Sequence, residues 1–415
     1  MNSLDIKKEK CIVCGIFMET GKEDDSDEVS LKELSDLCEA TGAEVVGTVS
    51  QNREAYDPRT VIGKGKVEEL KNAVMALSAD TVVFDCELSG SHTRNLEDEL
   101  NVKVIDRSRL ILDIFALRAT TGEGKCQVEL AQLMYNLPRL SGIGKSLSRL
   151  GGGIGTRGPG ETQLETDKRH IKERISSLKK ELSEIEKNRT VQRKQRMKND
   201  VINIALVGYT NAGKSSLLNA LTQSEQFVKD MLFATLDPLS KRFALPDGRE
   251  AVITDTVGFI RKLPHHLIEA FKSTLEEAKN ADIILHVIDS SDPNCDLRIK
   301  TVEKILAELK IPEDIPVLKV YNKIDKIDED EFYIPKDSIM ISAKKGKNLD
   351  KLLNIVTEKT KTTETEKWIL IPYDKSGLVS KIHDELKVLE TEYAPEGQKL
   401  KVYGKEEIIN RYEQL

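Results

Sequence analysis

Short apolar runs alternate with helical patterns over the first hundred residues of the chain. The runs hold four to seven residues and are rich in Val and Ile, which is typical of buried strands. Strands and helices in alternation predict a parallel sheet covered by helices. The predicted strands are Cys11–Phe17, Ala43–Val49, Thr81–Asp85 and Val102–Ile105, and the predicted helices are Leu31–Ala40, Lys66–Leu77 and His92–Leu100.

After residue 110 the apolar residues recur at the spacing of a helix. Leucines and isoleucines then recur every three, four or seven residues, first over 110–137 and again over 164–185, which favours two helices that pack along a seam. We therefore predict a helical hairpin. If its second arm is helical over 164–198, that arm is about 50 Å long.

A second alternation of strands and helices begins at residue 201. It predicts strands at Val201–Val207, Glu250–Thr254, Val317–Tyr321 and Ser338–Ile341, followed by a helix at Leu349–Val356. The polar run 357–364 has no apolar residue to bury and predicts a linker. The tail predicts a small α/β unit with a strand Trp368–Pro372, a helix Leu378–Leu389 and a strand Lys399–Tyr403.

These patterns divide the 415 residues into four parts. The predicted fold is α/β, with an N-terminal parallel α/β domain (1–109) and a helical hairpin (110–200) whose loop spans 141–160. A P-loop nucleotide-binding domain (201–362) and a C-terminal α/β domain (363–415) follow.

The composition is that of a globular protein with 39% hydrophobic and 32% charged residues. No apolar run approaches the ~18 residues of a membrane span, and the first residues lack the apolar stretch of a secretory signal. Six cysteines in a chain of this length do not indicate a disulfide framework, so we expect a cytoplasmic protein. Cys11 and Cys14 lie three apart in a predicted strand, on opposite faces, and core packing is favoured over metal binding.

The net charge of −7 is unevenly distributed. Between residues 138 and 200, Lys and Arg exceed Asp and Glu by eight, so the remainder of the chain carries −15. This asymmetry favours one element that contacts a polyanion, although a solvated basic helix face would also produce it.

The hairpin loop 141–160 contains eight glycines and no acidic residue before Glu161. A flexible basic loop at the end of a long arm is suited to a narrow space lined by phosphates. The alternative is a solvated loop, which Gly and Ser also favour. The candidate RNA contacts are Arg139, Lys145, Arg149 and Arg157.

The strand Val201–Val207 is followed by a sequence of the form G-x-x-x-x-G-K-S and then by a helical pattern. In this context the backbone N–H groups and the helix N-terminus surround a nucleotide's phosphates. Lys214 is expected to reach the β- and γ-phosphates and Ser215 to bind Mg²⁺. The phosphate-binding residues are Gly208, Tyr209, Thr210, Asn211, Ala212, Gly213, Lys214, Ser215 and Ser216.

Three further motifs follow at the ends of predicted strands. In the first, Asp255 is expected to approach Mg²⁺ through a water and the Gly258 N–H to face the γ-phosphate. In the second, the Asp325 carboxylate can accept hydrogen bonds from N1–H and from the exocyclic amine of guanine, which favours GTP over ATP. The third motif can support the base from its other side. The three are Asp255-Thr256-Val257-Gly258, Asn322-Lys323-Ile324-Asp325 and Ser342-Ala343-Lys344.

The ordered set of motifs resembles the TRAFAC class of GTPases. Within that class, the peptide Gly155-Thr156-Arg157-Gly158-Pro159-Gly160-Glu161-Thr162-Gln163-Leu164-Glu165, placed before a basic helix and a GTPase domain, resembles the HflX family of ribosome-associated GTPases. The resemblance covers nearly the whole chain. It implies GTP hydrolysis coupled to the large ribosomal subunit, a hairpin loop that reaches rRNA near the peptidyl transferase centre, and separation of the subunits of stalled or idle ribosomes.

The family pattern also implies a switch I motif at Phe233-Ala234-Thr235-Leu236-Asp237. Thr235 would complete the Mg²⁺ shell when a γ-phosphate is present, and would join Lys214 and Gly258 as a catalytic residue. Phe259 stands where many GTPases have a water-orienting glutamine, so we expect slow hydrolysis without a partner. Asn211 stands where some glutamine-lacking GTPases bind K⁺, although a turn-favouring role explains it equally well.

Two other functions fit the same domain order. The protein could act in RNA processing or ribosome assembly, but its N-terminal half shows no paired catalytic carboxylates and no metal-ligand cluster. It could instead be a structural RNA-binding protein with a fixed nucleotide. We expect a monomer that uses GTP as substrate with Mg²⁺ as cofactor.

Overall fold

A computed structural model describes residues 8–18, 27–140, 159–198, 201–222, 232–233, 239–264, 267, 270–271, 277–312, 314–328, 335–361 and 364–413. The chain forms two compact units, Met1–Leu353 and Asn354–Leu415. No helix in the described ranges is both long enough and apolar enough to cross a membrane.

The first sheet is parallel throughout, with four strands in the order β2-β1-β3-β4. Its interior strands are almost continuously apolar because helices cover both faces. Cys11 and Cys14 of β1 are both buried, and they pack into different hydrophobic clusters on opposite faces. The strands are β1 (Lys10–Met18), β2 (Glu44–Arg53), β3 (Thr81–Phe84) and β4 (Lys103–Asp106), and the helices are α1 (Asp27–Ala40), α2 (Lys64–Leu77) and α3 (Gly90–Leu100).

Three helices follow the first sheet: α4 (Arg107–Arg118), α5 (Gly122–Arg139) and α6 (Pro159–Lys198). The last two form the predicted hairpin, and α6 is longer than predicted because it begins at Pro159, a favoured first residue of a helix. Its 40 residues span about 60 Å.

Ion pairs define the direction of the hairpin arms. Arg174 binds Glu129 through two hydrogen bonds of 2.6 and 2.7 Å, and Arg189 binds Glu123 at 2.7 Å. Residues later in α6 therefore pair with residues earlier in α5, so the arms are antiparallel. The connecting loop is at the end where α5 finishes and α6 begins.

The second sheet has six strands in the order β10-β9-β8-β5-β7-β6. All neighbouring pairs are parallel except β6 with β7. Four of the strands were predicted, and β6 and β8 were not. The strands are β5 (Ile202–Gly208), β6 (Leu239–Ala244), β7 (Glu250–Asp255), β8 (Ile283–Asp289), β9 (Val317–Asn322) and β10 (Ser338–Met340), and the helices are α7 (Lys214–Thr222), α8 (Cys295–Glu308) and α9 (Leu349–Lys359).

The polar run predicted to be a linker is partly helical. Helix α9 continues through Lys359, with Thr357 buried, and β11 already begins at Glu364. The prediction was therefore wrong at both ends of the run. A helix can continue through a turn that has no apolar residue, since threonine can pack through its methyl group.

The unit Asn354–Leu415 contains an antiparallel sheet in the order β11-β13-β12. The predicted helix Leu378–Leu389 was wrong at its end, because α10 stops at Glu385 and the residues after it form a strand. The elements are β11 (Glu364–Pro372), α10 (Gly377–Glu385), β12 (Lys387–Ala394), β13 (Gly397–Lys405) and α11 (Glu406–Glu413).

Candidate guanine nucleotide site

The phosphate-binding loop connects β5 to α7 at the centre of the six-stranded sheet. Two of its glycines leave no space for a side chain. A Cβ at Gly208 would lie 2.3 Å from the Val287 carbonyl oxygen, and one at Gly213 would lie 2.3 Å from Asn322 Nδ2. Gly213 also has a φ of 93°, which L-residues rarely adopt. Close packing and backbone conformation therefore require glycine in this loop.

Lys214 begins α7, and its ammonium group is buried under the loop. Nζ donates hydrogen bonds to the carbonyl oxygens of Gly208 at 3.2 Å and Tyr209 at 2.9 Å. Burial lowers the pKa of Lys214 to about 8, and the nearby Asp255 carboxylate offsets only part of this shift. The phosphates of a nucleotide would supply the negative charge that favours the protonated form.

Ser215 and Asp255 lie next to each other at the start of α7. Ser215 Oγ donates to Asp255 Oδ2 over 2.6 Å. A hydroxyl and a carboxylate are suitable ligands for Mg²⁺, which takes its other ligands from phosphate and water. Among the described residues, no three His, Cys, Asp or Glu side chains form a metal site. The pair therefore fits an ion held jointly with a nucleotide, where it would neutralise phosphate charge.

The Asp-x-x-Gly segment follows β7 and lies directly against the phosphate-binding loop. Thr256 Oγ1 donates to the Leu206 carbonyl oxygen at 2.7 Å, which joins the segment to β5. A methyl group added at Gly258 would lie 2.9 Å from Thr210 Cα and 3.1 Å from Lys214 Nζ. The segment thus adjoins the ammonium group that is expected to bind the γ-phosphate.

Asn322 ends β9 and connects two loops through its side-chain amide. Its Nδ2 donates to the Ala212 carbonyl oxygen at 3.0 Å, and its Oδ1 accepts from the Ala343 N–H at 3.0 Å. The amide therefore holds the phosphate-binding loop and the predicted base-supporting loop in one arrangement.

Asp325 is exposed at the edge of the site and held by Ser342. Ser342 Oγ donates to Asp325 Oδ1 at 2.5 Å, and this hydrogen bond lowers the pKa of Asp325. The carboxylate is therefore ionised at neutral pH and fixed by a serine from the third motif. An ionised carboxylate held in place is an acceptor for the two adjacent N–H donors of guanine.

Asp289 is a site residue that the sequence reasoning missed. It ends β8 beside Asn322, and Oδ2 binds Lys323 Nζ at 2.7 Å. Lys323 also donates to the Asn211 carbonyl oxygen at 2.7 Å. Asp289 thus orients the lysine that spans the phosphate-binding loop. The signal was available in the sequence, because an aspartate ends the apolar run that forms β8.

The predicted switch I motif is described only at Phe233. Its ring is buried and packs edge-on against Phe115 of α4, with the ring centroids 4.7 Å apart. Ala234, Thr235, Leu236 and Asp237 lie outside the described residues. Phe259, after the Asp-x-x-Gly segment, is buried in the same hydrophobic cluster and offers no polar side-chain atom.

Arg139 differs from the other predicted RNA contacts. Its guanidinium group donates to the Leu88 carbonyl oxygen at 2.6 Å and to Asp106 at 3.1 Å, and lies over the ring of Tyr135. The side chain is therefore held by groups of the N-terminal domain and of α5, and its contact with RNA stays a prediction. Lys145, Arg149 and Arg157 lie outside the described residues.

Three consecutive regions of the chain match known sequence families. Residues 28–116 match the family described as "GTP-binding GTPase N-terminal", and residues 118–196 match "GTP-binding GTPase Middle Region". Residues 203–323, which contain the phosphate-binding loop and the Asp-x-x-Gly segment, match "50S ribosome-binding GTPase".

Curated relatives extend over almost the full chain. The protein is 50% identical to GTPase HflX of Caldanaerobacter subterraneus over 97% of this chain and 92% of that one. It is 42% identical to GTPase HflX of Escherichia coli over 90% of this chain and 88% of that one. A GTP-binding protein from Sulfolobus solfataricus in complex with GDP aligns with 28% identity and a TM-score of 0.42, covering 84% of this chain and 98% of that one. From the curated relatives and the three matched regions, the chain belongs to the HflX family of GTPases.

Proposed function

We propose that this GTPase is a GTP-driven switch that binds the large ribosomal subunit and separates the subunits of stalled or idle ribosomes. The observation that carries the proposal is that one chain combines a guanine nucleotide site with a helical hairpin whose longer arm has 40 residues. The match of residues 203–323 to a family described as "50S ribosome-binding GTPase" supports the choice of partner.

The chemistry assigned to the site is phosphoryl transfer to water. Lys214 Nζ and the Gly258 N–H stabilise negative charge on the γ-phosphate, since both adjoin the phosphate-binding loop. Ser215 and Thr235 would bind Mg²⁺ directly and Asp255 would bind it through a water, and the ion would neutralise phosphate charge. Thr235 also senses the γ-phosphate.

Slow hydrolysis in the absence of the ribosome follows from Phe259. Its ring is buried and has no group that can orient the attacking water. The ribosome is proposed to order the switch segments and so complete the catalytic geometry. Asn211, in the left-handed conformation with φ 60°, is a candidate K⁺ ligand. Equal GTPase rates in matched KCl and NaCl would remove that assignment.

The hairpin is the proposed ribosome-binding element. Leu178 of α6 is buried, and two ion pairs join α6 to α5, so the basic loop connects two arms that are held together. Lys145, Arg149 and Arg157 of that loop are proposed to contact rRNA phosphates, whose charge they complement.

Binding to large subunits tests this assignment. We expect the triple variant Lys145→Ala, Arg149→Ala, Arg157→Ala to bind purified large subunits at least tenfold more weakly, with a smaller dependence of affinity on salt. Its affinity for GTP should remain unchanged. A matched control neutralises the exposed Lys351, Lys375 and Lys381 outside the hairpin. Equal subunit binding by all three proteins would refute the assignment of the loop.

A further inference from the structure

One threonine of the phosphate-binding loop carries a buried hydroxyl group that the protein itself does not bind. Thr210 is only 2% exposed, and within the described part of the chain its Oγ1 has no hydrogen-bond partner. A buried hydroxyl without a partner is costly, and valine has the same shape without that cost. The hydroxyl therefore requires an explanation, and its place in the nucleotide site points to a ligand.

The side chain of Thr210 adjoins the two groups that are assigned to the γ-phosphate. A methyl group added at Gly258 would lie 2.9 Å from Thr210 Cγ2 and 3.1 Å from Lys214 Nζ. The threonine methyl group and the lysine ammonium group therefore both lie beside Gly258. Oγ1 is bonded to the same Cβ atom as that methyl group, so the hydroxyl also lies close to the expected position of the γ-phosphate.

Backbone hydrogen bonds hold Thr210 in this position. Its N–H donates to the Phe259 carbonyl oxygen at 2.8 Å, and the Phe259 N–H donates to the Gly208 carbonyl oxygen at 3.1 Å. Tyr209, between the two loop residues, forms a parallel bridge with Phe259. The threonine side chain therefore starts from a fixed backbone, and a group held in this way can orient a reactant without first being ordered itself.

The residue that follows Gly258 leaves the attacking water without its usual partner. Phe259 occupies the position of the water-orienting glutamine, and its ring is 1% exposed in a hydrophobic cluster. The Thr210 hydroxyl lies next to the same glycine and is bonded through its own backbone to Phe259. It is therefore placed to perform part of the task that glutamine performs in many other GTPases.

The hydrogen-bonding capacity of the neighbouring side chains also favours Thr210. An attacking water must donate one hydrogen bond to an acceptor, and the Lys214 ammonium group has donors only. Asp255 has acceptors, but its carboxylate is bonded to Ser215 Oγ at 2.6 Å and is assigned to Mg²⁺. A hydroxyl can accept a hydrogen bond from water.

We propose that Thr210 is a catalytic residue whose hydroxyl accepts a hydrogen bond from the attacking water and orients it towards the γ-phosphorus. The water oxygen forms a bond to phosphorus while the bond to the β–γ bridging oxygen breaks, and that electron pair stays on GDP. A proton of the water passes to a γ-phosphate oxygen, which gives inorganic phosphate. A single hydroxyl replaces only part of a glutamine amide, which agrees with slow hydrolysis by the protein alone.

Two pairs of variants isolate the hydroxyl from the rest of the side chain. Thr210→Val keeps the shape of threonine without its hydroxyl, whereas Thr210→Ser and Thr210→Ala both lack the methyl group and differ in the hydroxyl alone. We expect single-turnover GTP hydrolysis without ribosomal subunits to be about ten- to a hundredfold slower in Thr210→Val than in the unaltered protein. Thr210→Ala should be slower than Thr210→Ser by a similar factor.

Binding measurements separate an effect on the reaction from an effect on the fold of the site. The affinity of Thr210→Val for GDP and for a non-hydrolysable GTP analogue should change by less than about threefold, because the contact to the water matters only during the reaction. Its affinity for GDP with aluminium fluoride, which resembles the transition state, should fall at least about tenfold. Thr81→Val, which alters an equally buried threonine in β3, is the control and should keep the unaltered rate.

Equal hydrolysis rates within either pair of proteins would overturn the proposal. So would a loss of affinity for the GTP analogue as large as the loss of rate, because the hydroxyl would then act in binding the substrate and not in orienting the water. The inference rests on the phosphoryl transfer assigned to this site. Because the assay contains no ribosomal subunits, its failure is distinguishable from a failure of the proposed ribosome-driven switch.

Discussion

At the scale of single residues, the site is built from groups whose charge state is fixed by their surroundings. Lys214 is buried beside backbone carbonyl oxygens, Asp325 is held ionised by Ser342, and His286 is enclosed in the central strand β8. The environments of Asp325 and His286 lead to measurable predictions.

The variant Asp325→Asn should exchange guanine for xanthine recognition. The asparagine oxygen can still accept from N1–H, but its amide group faces the guanine amine as a second donor. We expect GTP affinity to fall roughly a hundredfold, because the hydrogen bond to the guanine amine is lost and the one to N1–H no longer has a charged acceptor. XTP affinity should rise, because the asparagine amide can donate to the 2-oxo group of xanthine. Equilibrium binding of both nucleotides measures this, with the exposed Asp337→Asn as control. Unchanged GTP binding by Asp325→Asn would contradict the assignment of the base site.

His286 should make the protein less stable in mild acid. Burial lowers its pKa to about 4, against 6.5 when unfolded. The unfolded chain therefore binds the proton first, and this residue's contribution to stability is lost as pH falls from 6.5 towards 4. The loss amounts to about 3 kcal/mol at most. Urea unfolding of His286→Leu over this range should show a weaker dependence on pH. Parallel curves for variant and unaltered protein would refute the role.

At the scale of elements, the pattern of apolar residues predicted the helices and strands whose positions are determined by burial. The four strands of the first sheet and the two arms of the hairpin follow from hydrophobic period, and the phosphate-binding loop follows from its motif. Strand β12 (Lys387–Ala394) was missed because Val388 and Leu389 continue the apolar spacing of α10, and only pairing with β13 makes the segment a strand. The contact of Lys262 with Asp85 was not predictable, since it joins residues 177 positions apart.

The two ion pairs of the hairpin should differ in strength. Arg189 and Glu123 are 23% and 13% exposed, whereas Arg174 and Glu129 are about half exposed. Solvent screens the exposed pair, so we expect a smaller coupling energy for it than for the pair at Arg189. Double-mutant cycles with alanine, measured by chemical unfolding, give both values. The reverse order would show that the arms pack differently.

At the scale of the whole molecule, the nucleotide site and the hairpin lie on one chain in which helix α4 (Arg107–Arg118) connects them. This helix contacts the Arg261 carbonyl oxygen through Arg107 and Phe233 through Phe115, and it precedes the first arm of the hairpin. We therefore expect this helix to couple the nucleotide site to the proposed ribosome-binding element in both directions.

The most direct test of the proposed ribosome-driven switch is GTP turnover with and without purified large ribosomal subunits at two salt concentrations. We predict slow turnover alone and strong stimulation by the subunits that weakens at the higher salt, since the contact is made to phosphates. Small subunits at the same concentration serve as control. Turnover that is unaffected by large subunits at either salt concentration would contradict the proposed ribosome-driven switch.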